Sequence, residues 1–195
     1  MFTGLIRATG DVIERTGQNL EIGVNDAGFL AKAGVGDSMA VNGVCLTLTE
    51  KSSSRFSVFL SDETLKTTNL SLLRPGAKVN LESPLTLDGL LHGHLVQGHV
   101  DGTGIVEEFF RRGGSWVLKI RYSPEIDRYI VHKGSICVNG VSLTVAAKAG
   151  SLFEVAVIPE TVEKTNFSGL KSGDKVNLEI DMIAKYVESL IPGRK

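Results

Sequence analysis

Two side chains with the chemistry of nucleophiles hold the same place in a repeated phrase. Cys45 stands in Val41-Asn42-Gly43-Val44-Cys45-Leu46-Thr47-Leu48, and Ser142 in Val138-Asn139-Gly140-Val141-Ser142-Leu143-Thr144-Val145, 97 positions later. A thiol or hydroxyl held this way is a candidate nucleophile or proton relay. On a strand, alternation puts Val44, Leu46 and Leu48 on one face and Cys45, Thr47 and Thr49 on the other. The second copy sets Val141, Leu143 and Val145 against Ser142, Thr144 and Ala146. The apolar face belongs to a core, which leaves the small polar face to meet solvent or a ligand. A single such strand is explained by threonine's β propensity and by cysteine as a small filler. Two in register, each two residues after Asn-Gly, favour a surface laid against a ligand. The Asn-Gly pairs read as two-residue hairpin turns. Gly43 and Gly140 also allow a flat ligand to approach the backbone closely.

The histidines of His92-Gly93-His94 and His99 raise a metal site. On a strand His92 and His94 share a face, but His99 points the other way, and no Cys, Asp or Glu cluster completes a ligand set. No metal is expected. His92 reads as a linker residue, whereas His99 opens the second half where Leu5 opens the first. Gly102-Thr103-Gly104 lacks the third glycine of a dinucleotide fingerprint, with Glu107 in its place, and Arg121-Tyr122-Ser123 lacks the spacer of the Arg-x-Tyr-Ser flavin motif.

The elements that must position these residues come in two sets. Gly4–Val12 aligns with Gly98–Val106, Glu63–Ser71 with Glu160–Ser168, and Gly76–Glu82 with Gly173–Glu179, the offset drifting from 94 to 97. The chain is therefore an internal duplication. The expected division is a first domain over 1–96 including a linker, a second over 97–185, and a C-terminal helix over 182–192. Short runs rich in β-branched and aromatic residues, such as Phe56–Leu60 and Trp116–Ile120, fill both halves and predict a small antiparallel barrel or sandwich. Ser61-Asp62-Glu63-Thr64, with Ser or Asp as cap, and Ile158-Pro159-Glu160-Thr161, with Pro in the first turn, read as helix starts. Ile183, Val187, Leu190 and Ile191 form one stripe of a terminal helix stopped by Pro192-Gly193. So short a helix needs a partner, either its own barrel or a neighbouring chain.

The 195 residues carry a net charge of −1, without the basic surplus of a nucleic-acid footprint. No stretch is long enough to span a membrane, and the N-terminus lacks the layout of a signal peptide. Cys45 and Cys137 hold non-equivalent repeat positions, so no disulfide is expected and the chain reads as cytoplasmic.

Met1-Phe2-Thr3-Gly4-Leu5-Ile6, Gly36-Asp37-Ser38, the two Asn-Gly phrases, Gly93-His94-Leu95-Val96-Gln97-Gly98-His99-Val100 and Ile158-Pro159-Glu160-Thr161 together resemble riboflavin synthase of the α-chain type. The resemblance covers nearly the whole chain, in order. It implies an all-β fold of two tandem Greek-key barrels with a short C-terminal helix, assembled as a homotrimer. It implies a transferase that converts two 6,7-dimethyl-8-ribityllumazine molecules to riboflavin and 5-amino-6-(D-ribitylamino)uracil without cofactor or metal, and it raises lumazine synthase as a further partner. The reacting pair would meet between the N-terminal barrel of one chain and the C-terminal barrel of the next.

By that likeness the N-terminal site uses Gly4, Leu5, Ile6, Ser38, Cys45, Leu46, Thr47 and the turn Phe59, Leu60, Ser61, Asp62, Glu63, Thr64. The C-terminal site uses Gly98, His99, Val100, Lys133, Ser142, Leu143, Thr144 and the turn Ile158, Pro159, Glu160, Thr161, Val162, Glu163. Turnover is associated with Phe2, Ser38, Cys45, His99, Ser142, Thr144 and Asp181. Asn139 stands where some relatives have an acidic residue, which weakens any carboxylate base there. The rival of another class is a lumazine protein, which resembles this fold but holds its ligand as an optical antenna.

Overall fold

A computed structural model describes residues 1–26 and 28–191. Among these described residues twelve strands form two closed barrels of six. The first contains β1 (Ala8–Thr16), β2 (Asn19–Val24), β3 (Ser38–Val41), β4 (Val44–Lys51), β5 (Arg55–Phe59) and, after helix α1 (Asp62–Thr67), β6 (Lys78–Glu82). The second repeats it as β7 (Gly102–Arg112), β8 (Ser115–Arg121), β9 (Ser135–Val138), β10 (Val141–Ala149), β11 (Leu152–Val157), α2 (Pro159–Lys164) and β12 (Lys175–Ile180), followed by α3 (Met182–Leu190). Around the first barrel the order is β1-β2-β5-β4-β3-β6. The run β6-β3-β4-β5 within it is a Greek key, and the second barrel has the same order with each strand six numbers on.

Local sequence sets this shape. Val44, Leu46 and Leu48 point into the first core, joined by Leu20, Ile22, Phe56 and Val58, while Thr47 and Thr49 face out. Val141 and Val145 enter the second core with Leu118, Phe153 and Phe167, and Leu143 packs partly buried at its edge. Register shifts fall at matching places in both repeats, between Val12 and Glu14, Leu48 and Glu50, Val106 and Glu108, and Val145 and Ala147. Bulges add twist, which lets so small a sheet close on itself and remove its edges. Among the described residues no helix is long and apolar enough to cross a membrane.

Both Asn-Gly pairs make the expected two-residue turns. Asn42 and Gly43 have φ of 47° and 77°, Asn139 and Gly140 46° and 82°, the left-handed pair that a tight hairpin needs. The close neighbour of each glycine is the other turn rather than a ligand. A Cβ on Gly43 would lie 2.7 Å from the Gly140 nitrogen, and one on Gly140 2.8 Å from the Gly43 nitrogen. The two halves therefore meet turn on turn about a local two-fold axis.

Six asparagines surround that contact in three repeat-related pairs. Asn42 Oδ1 accepts from the Asn80 backbone N–H at 2.8 Å and from Asn166 Nδ2 at 3.1 Å. Asn139 Oδ1 accepts from the Asn177 N–H at 2.8 Å and from Asn69 Nδ2 at 3.1 Å. Asn80 Nδ2 donates to the Asn139 carbonyl at 2.8 Å, and Asn177 Nδ2 to the Asn42 carbonyl at 2.9 Å. A neutral amide suits the place because it donates and accepts without the desolvation penalty of a charge. Residue 139 acts here as a buried acceptor at the interface.

The terminal helix runs over Met182–Leu190, and position 192 of its expected span, with the Pro192-Gly193 stop, lies outside the described residues. Its polar face holds it to the second barrel. Glu188 accepts from Tyr129 and pairs with Arg128 at 2.8 Å, and Lys185 pairs with Asp101 at 2.6 Å. Its own barrel does not cover the apolar stripe, since Ile183, Val187 and Leu190 remain 64%, 52% and 80% exposed.

Gly43→Ala should cost roughly 2 kcal/mol or more, because the left-handed conformation alone costs an L-residue about 1–2 kcal/mol and the new methyl strikes backbone. Gly17 has φ 61° with nothing within 4 Å of an added Cβ, so Gly17→Ala should lose only the conformational part, roughly 1 kcal/mol. Urea unfolding of the two variants side by side checks this; equal losses would contradict turn-on-turn packing.

Candidate functional site

The segments that lead into β1 and β7 cross to the opposite barrel. Phe2 forms an isolated antiparallel bridge with Val96, its N–H donating to the Val96 carbonyl at 2.7 Å and receiving the reverse bond at 3.1 Å. From this bridge one segment runs as Thr3-Gly4-Leu5-Ile6 past Ser142 of the second barrel. The Ser142 N–H donates to the Gly4 carbonyl at 2.8 Å, and Ile6 packs on the second core. The other runs as Gln97-Gly98-His99-Val100 past Cys45 of the first barrel. The Cys45 N–H donates to the Gly98 carbonyl at 2.9 Å, and Val100 packs on the first core. Only glycine fits at either crossing. Gly4 and Gly98 have φ of 75° and 83°, and a Cβ on them would lie 2.5 Å from the Cβ of Ser142 and Cys45 respectively.

The grouping drawn from the family likeness is thereby corrected. Gly4, Leu5 and Ile6 belong with Ser142, and Gly98, His99 and Val100 with Cys45. A segment's place in the sequence does not fix which barrel it lies against, and here each one roofs the other copy's polar strand face. A cleft of about 510 Å³ lies in the Ser142 half, walled by Gly4, Leu5 and Ile6 on one side and by Ser142, Ile158, Glu160 and Thr161 on the other.

The remaining expected residues divide by position. Leu46, Leu60 and Val162 are buried in the cores, so only their backbone can face a ligand. Phe59, Ser61, Asp62 and Glu63 are exposed around the start of α1 with Thr64 half-buried, and Ser61 caps that helix by accepting from the Thr64 N–H at 3.1 Å. Pro159 opens α2 in the first turn, with Ile158 at the cap and Glu163 exposed. Thr47 pairs in register with Ser38, and Thr144 with Ser135. Phe2 is wholly buried with Ala40, Val96 and Cys137 between the barrels. It braces the crossing rather than lining a cleft.

Asp181 and Lys133 do not line the Ser142 cleft, although Asp181 is near enough to His94 to act on its charge. Asp181 caps α3 by accepting from the Ile183 N–H at 3.0 Å. With Val131, Gly134 and Ser135 it lines a groove of about 390 Å³ beneath that helix. Lys133, with φ 66°, sits in the loop that forms the groove's edge.

One side chain with evident chemistry was not among the expected site residues. His94 Nδ1 lies 2.7 Å from Ser142 Oγ, while the exposed His99 was the histidine singled out. Burial holds the His94 pKa below the ordinary imidazole value, against the opposing pull of Asp181. Its Nε2 is buried without a partner among the described residues. A neutral imidazole touching a hydroxyl can accept that hydroxyl's proton at Nδ1, which fixes the remaining proton on Nε2. The repeat gave no hint of it, because position 94 lies just before the point where the second copy begins to match the first. The Gly-His-Leu-Val-Gln-Gly-His phrase was the available signal. Among the described residues no group of His, Cys, Asp and Glu is arranged to hold a metal, and both cysteines are free.

The lowered His94 pKa has a consequence for stability. Between the folded value and the ordinary 6.5, the unfolded chain binds more protons at this residue, so stability falls as pH drops through that window. His94→Gln removes the titration, and urea midpoints taken from about pH 5 to 7.5 should show a shallower acid fall than wild type. An unchanged slope would sink the assignment of His94 as a buried neutral imidazole.

Comparison with known proteins agrees with the doubled geometry. A family model described as Lumazine binding domain matches residues 3–84 and again 97–181. The riboflavin synthase of Actinobacillus pleuropneumoniae is 41% identical over 98% of this chain and 90% of that protein. That of Bacillus subtilis is 38% identical over 96% and 88%, and that of Mycobacterium tuberculosis 44% identical over 98% of each. Among solved structures, LumP complexed with riboflavin superposes with a TM-score of 0.84 at 23% identity, covering 92% of this chain and 99% of that one. LumP complexed with 6,7-dimethyl-8-(1'-D-ribityl) lumazine gives 0.82 at the same identity, covering 92% and 98%. Matched in both repeats and nearly end to end, this chain belongs to the lumazine-binding-domain family and, within it, to the riboflavin synthases.

Proposed function

We propose that the chain converts two molecules of 6,7-dimethyl-8-ribityllumazine into riboflavin and 5-amino-6-(D-ribitylamino)uracil by moving a four-carbon unit from one to the other. The observation that carries this reading is the doubled half-site. Gly98 over Cys45 and Gly4 over Ser142 are the same arrangement built twice, which suits two copies of one flat substrate. The atoms of two substrate molecules are those of the two products, so the reaction balances without an external oxidant or reductant. Holding the pair in fixed register supplies much of the rate that orientation can give.

The chemistry divides between the two substrates. On one, the C7 methyl loses a proton, and the anion spreads into the ring, so a modest base suffices. On the other, a nucleophile adds at C7. His94 is the base through which Ser142 relays the proton shed in that half-site, and it stays neutral at physiological pH because it is buried. Backbone N–H groups at the starts of α1 and α2 face the ring carbonyls. The difference between Cys45 and Ser142 marks two unequal roles, one half-site donating the four carbons and the other accepting them.

The working unit in this reading is a homotrimer. The bare stripe of Ile183, Val187, Leu190 and Ile191 packs against the helices of two other chains. Lys133 and Asp181, which lie outside the Ser142 cleft of their own chain, then complete a site shared between neighbouring chains.

Purified protein should turn dimethylribityllumazine into yellow-green fluorescent riboflavin with no added metal or redox cofactor. Tight binding with no product over hours would instead support the non-catalytic antenna reading. Exchanging the two side chains, Cys45→Ser with Ser142→Cys, should slow turnover while leaving the fold intact. A chain ending at Asp181 should sediment as a smaller species, and an unchanged trimer would show the stripe to be misassigned.

A further inference from the structure

Two buried carboxylates take no part in the chemistry above. Glu82 ends β6, Glu179 lies on β12 at the equivalent repeat position, and each is only 3% exposed. Neither has a cation within ion-pair distance among the described residues. Each instead directs both oxygens at the backbone of a crossing segment. Glu82 Oε1 accepts from the Thr3 N–H and the Thr3 hydroxyl, both at 2.7 Å, and its Oε2 from the Gly4 N–H at 3.0 Å. Glu179 Oε1 accepts from the Gln97 N–H at 2.7 Å and its Oε2 from the Gly98 N–H at 3.0 Å. A buried carboxylate is costly unless such donors surround it, so two of them kept at matching positions point to a shared task.

We propose that Glu82 and Glu179 are positioning residues, each rooted in one barrel and setting the half-site of the other. From Glu82 the contacts run through Gly4, whose carbonyl accepts the Ser142 N–H, so a carboxylate of the first barrel fixes the Ser142 site of the second. From Glu179 they run through Gly98 to the Cys45 N–H, so a carboxylate of the second barrel fixes the Cys45 site of the first. The crossings have no slack. With only 2.5 Å between the site of a missing Cβ and the side chain beneath, a shift of either glycine moves the strand it covers. Glu→Gln keeps the shape but replaces one acceptor with an NH2 group turned toward a backbone N–H, which loosens the clamp.

This inference rests on the reading of Cys45 and Ser142 as ligand-facing, and its test reports geometry independently of turnover. Cys137 is buried and out of reach of reagent, so iodoacetamide added to the full-length protein reports on Cys45, with the Cys45→Ser chain as the blank for each variant. Glu179→Gln should change the alkylation rate of Cys45 by roughly tenfold, the scale expected for leaving one buried N–H unpaired, whereas Glu82→Gln should leave it within about twofold. In the chain carrying Cys45→Ser and Ser142→Cys, the pattern should invert at position 142. Should the Gln variants fail to fold, Glu82→Asp and Glu179→Asp withdraw the carboxylate by one methylene and allow the same comparison. Equal effects of both variants on both reporters, or none on either, would overturn the crossed assignment. A wild-type protein that makes no riboflavin would defeat the proposed reaction and leave the alkylation pattern to decide the clamps by itself.

Discussion

Two glycine turns in backbone contact, ringed by six asparagine amides, set the orientation of the two barrels, and the rest of the molecule inherits its geometry from that contact. Hydrogen bonds at this interface are individually modest, but leaving any one of the buried donors or acceptors unmet costs about 1–3 kcal/mol. The network therefore tolerates one arrangement of the halves and penalises others. Asn80 and Asn177 show how tightly it is tied. Each sits in the last strand of its own barrel and donates to the carbonyl of the other barrel's turn asparagine. The hydrophobic cores on either side close the barrels, but they are indifferent to how one barrel faces the other.

That orientation decides where the site residues go. With the turns fixed face to face, the Phe2–Val96 bridge lies between the barrels, and each segment leaving it runs between the last strand of its own barrel and the polar strand of the other. Gly4 reaches Ser142 and Gly98 reaches Cys45 because the axis puts them there. His94 then arrives beside the Ser142 hydroxyl as the residue two before Val96. Its neutrality follows from the same burial that excludes water from the crossing.

Much of this was legible in the sequence. The duplication, the alternation of Val44, Leu46 and Leu48 against Cys45 and Thr47, the tight Asn-Gly turns and the Ser61-capped helix are local patterns, and local sterics enforce them. What could not be read was the pairing of segments across the axis. Thr3-Gly4-Leu5 carries no signal saying which barrel it will meet, because that is settled by Asn–Asn contacts as much as 135 residues apart along the chain. In the sequence Gly43 and Gly140 suit a hairpin turn and the approach of a flat ligand alike; in the fold both turns form and each fills the room beside the other. His94 has no repeat partner, so the duplication does not mark it, and its chemistry arises from proximity to a residue 48 positions away. The apolar stripe on α3 was recognised, but its polar tether through Glu188 and Lys185 was not. Those two look like ordinary helix-surface charges until Arg128, Tyr129 and Asp101 are seen beneath them.

The crossed segments also bear on how the two halves came to differ. An interface in which each side offers the same groups to the other is the kind a symmetric pair of separate chains forms. Joined in a single polypeptide, its formation no longer depends on protein concentration, because the second half is always present at the high effective concentration set by the short connection. Separate identical chains would be obliged to carry the same residue at both symmetry-related places. The tether lifts that obligation, so position 45 can hold sulfur while position 142 holds oxygen, within a frame whose turns and glycine crossings still repeat about the two-fold axis.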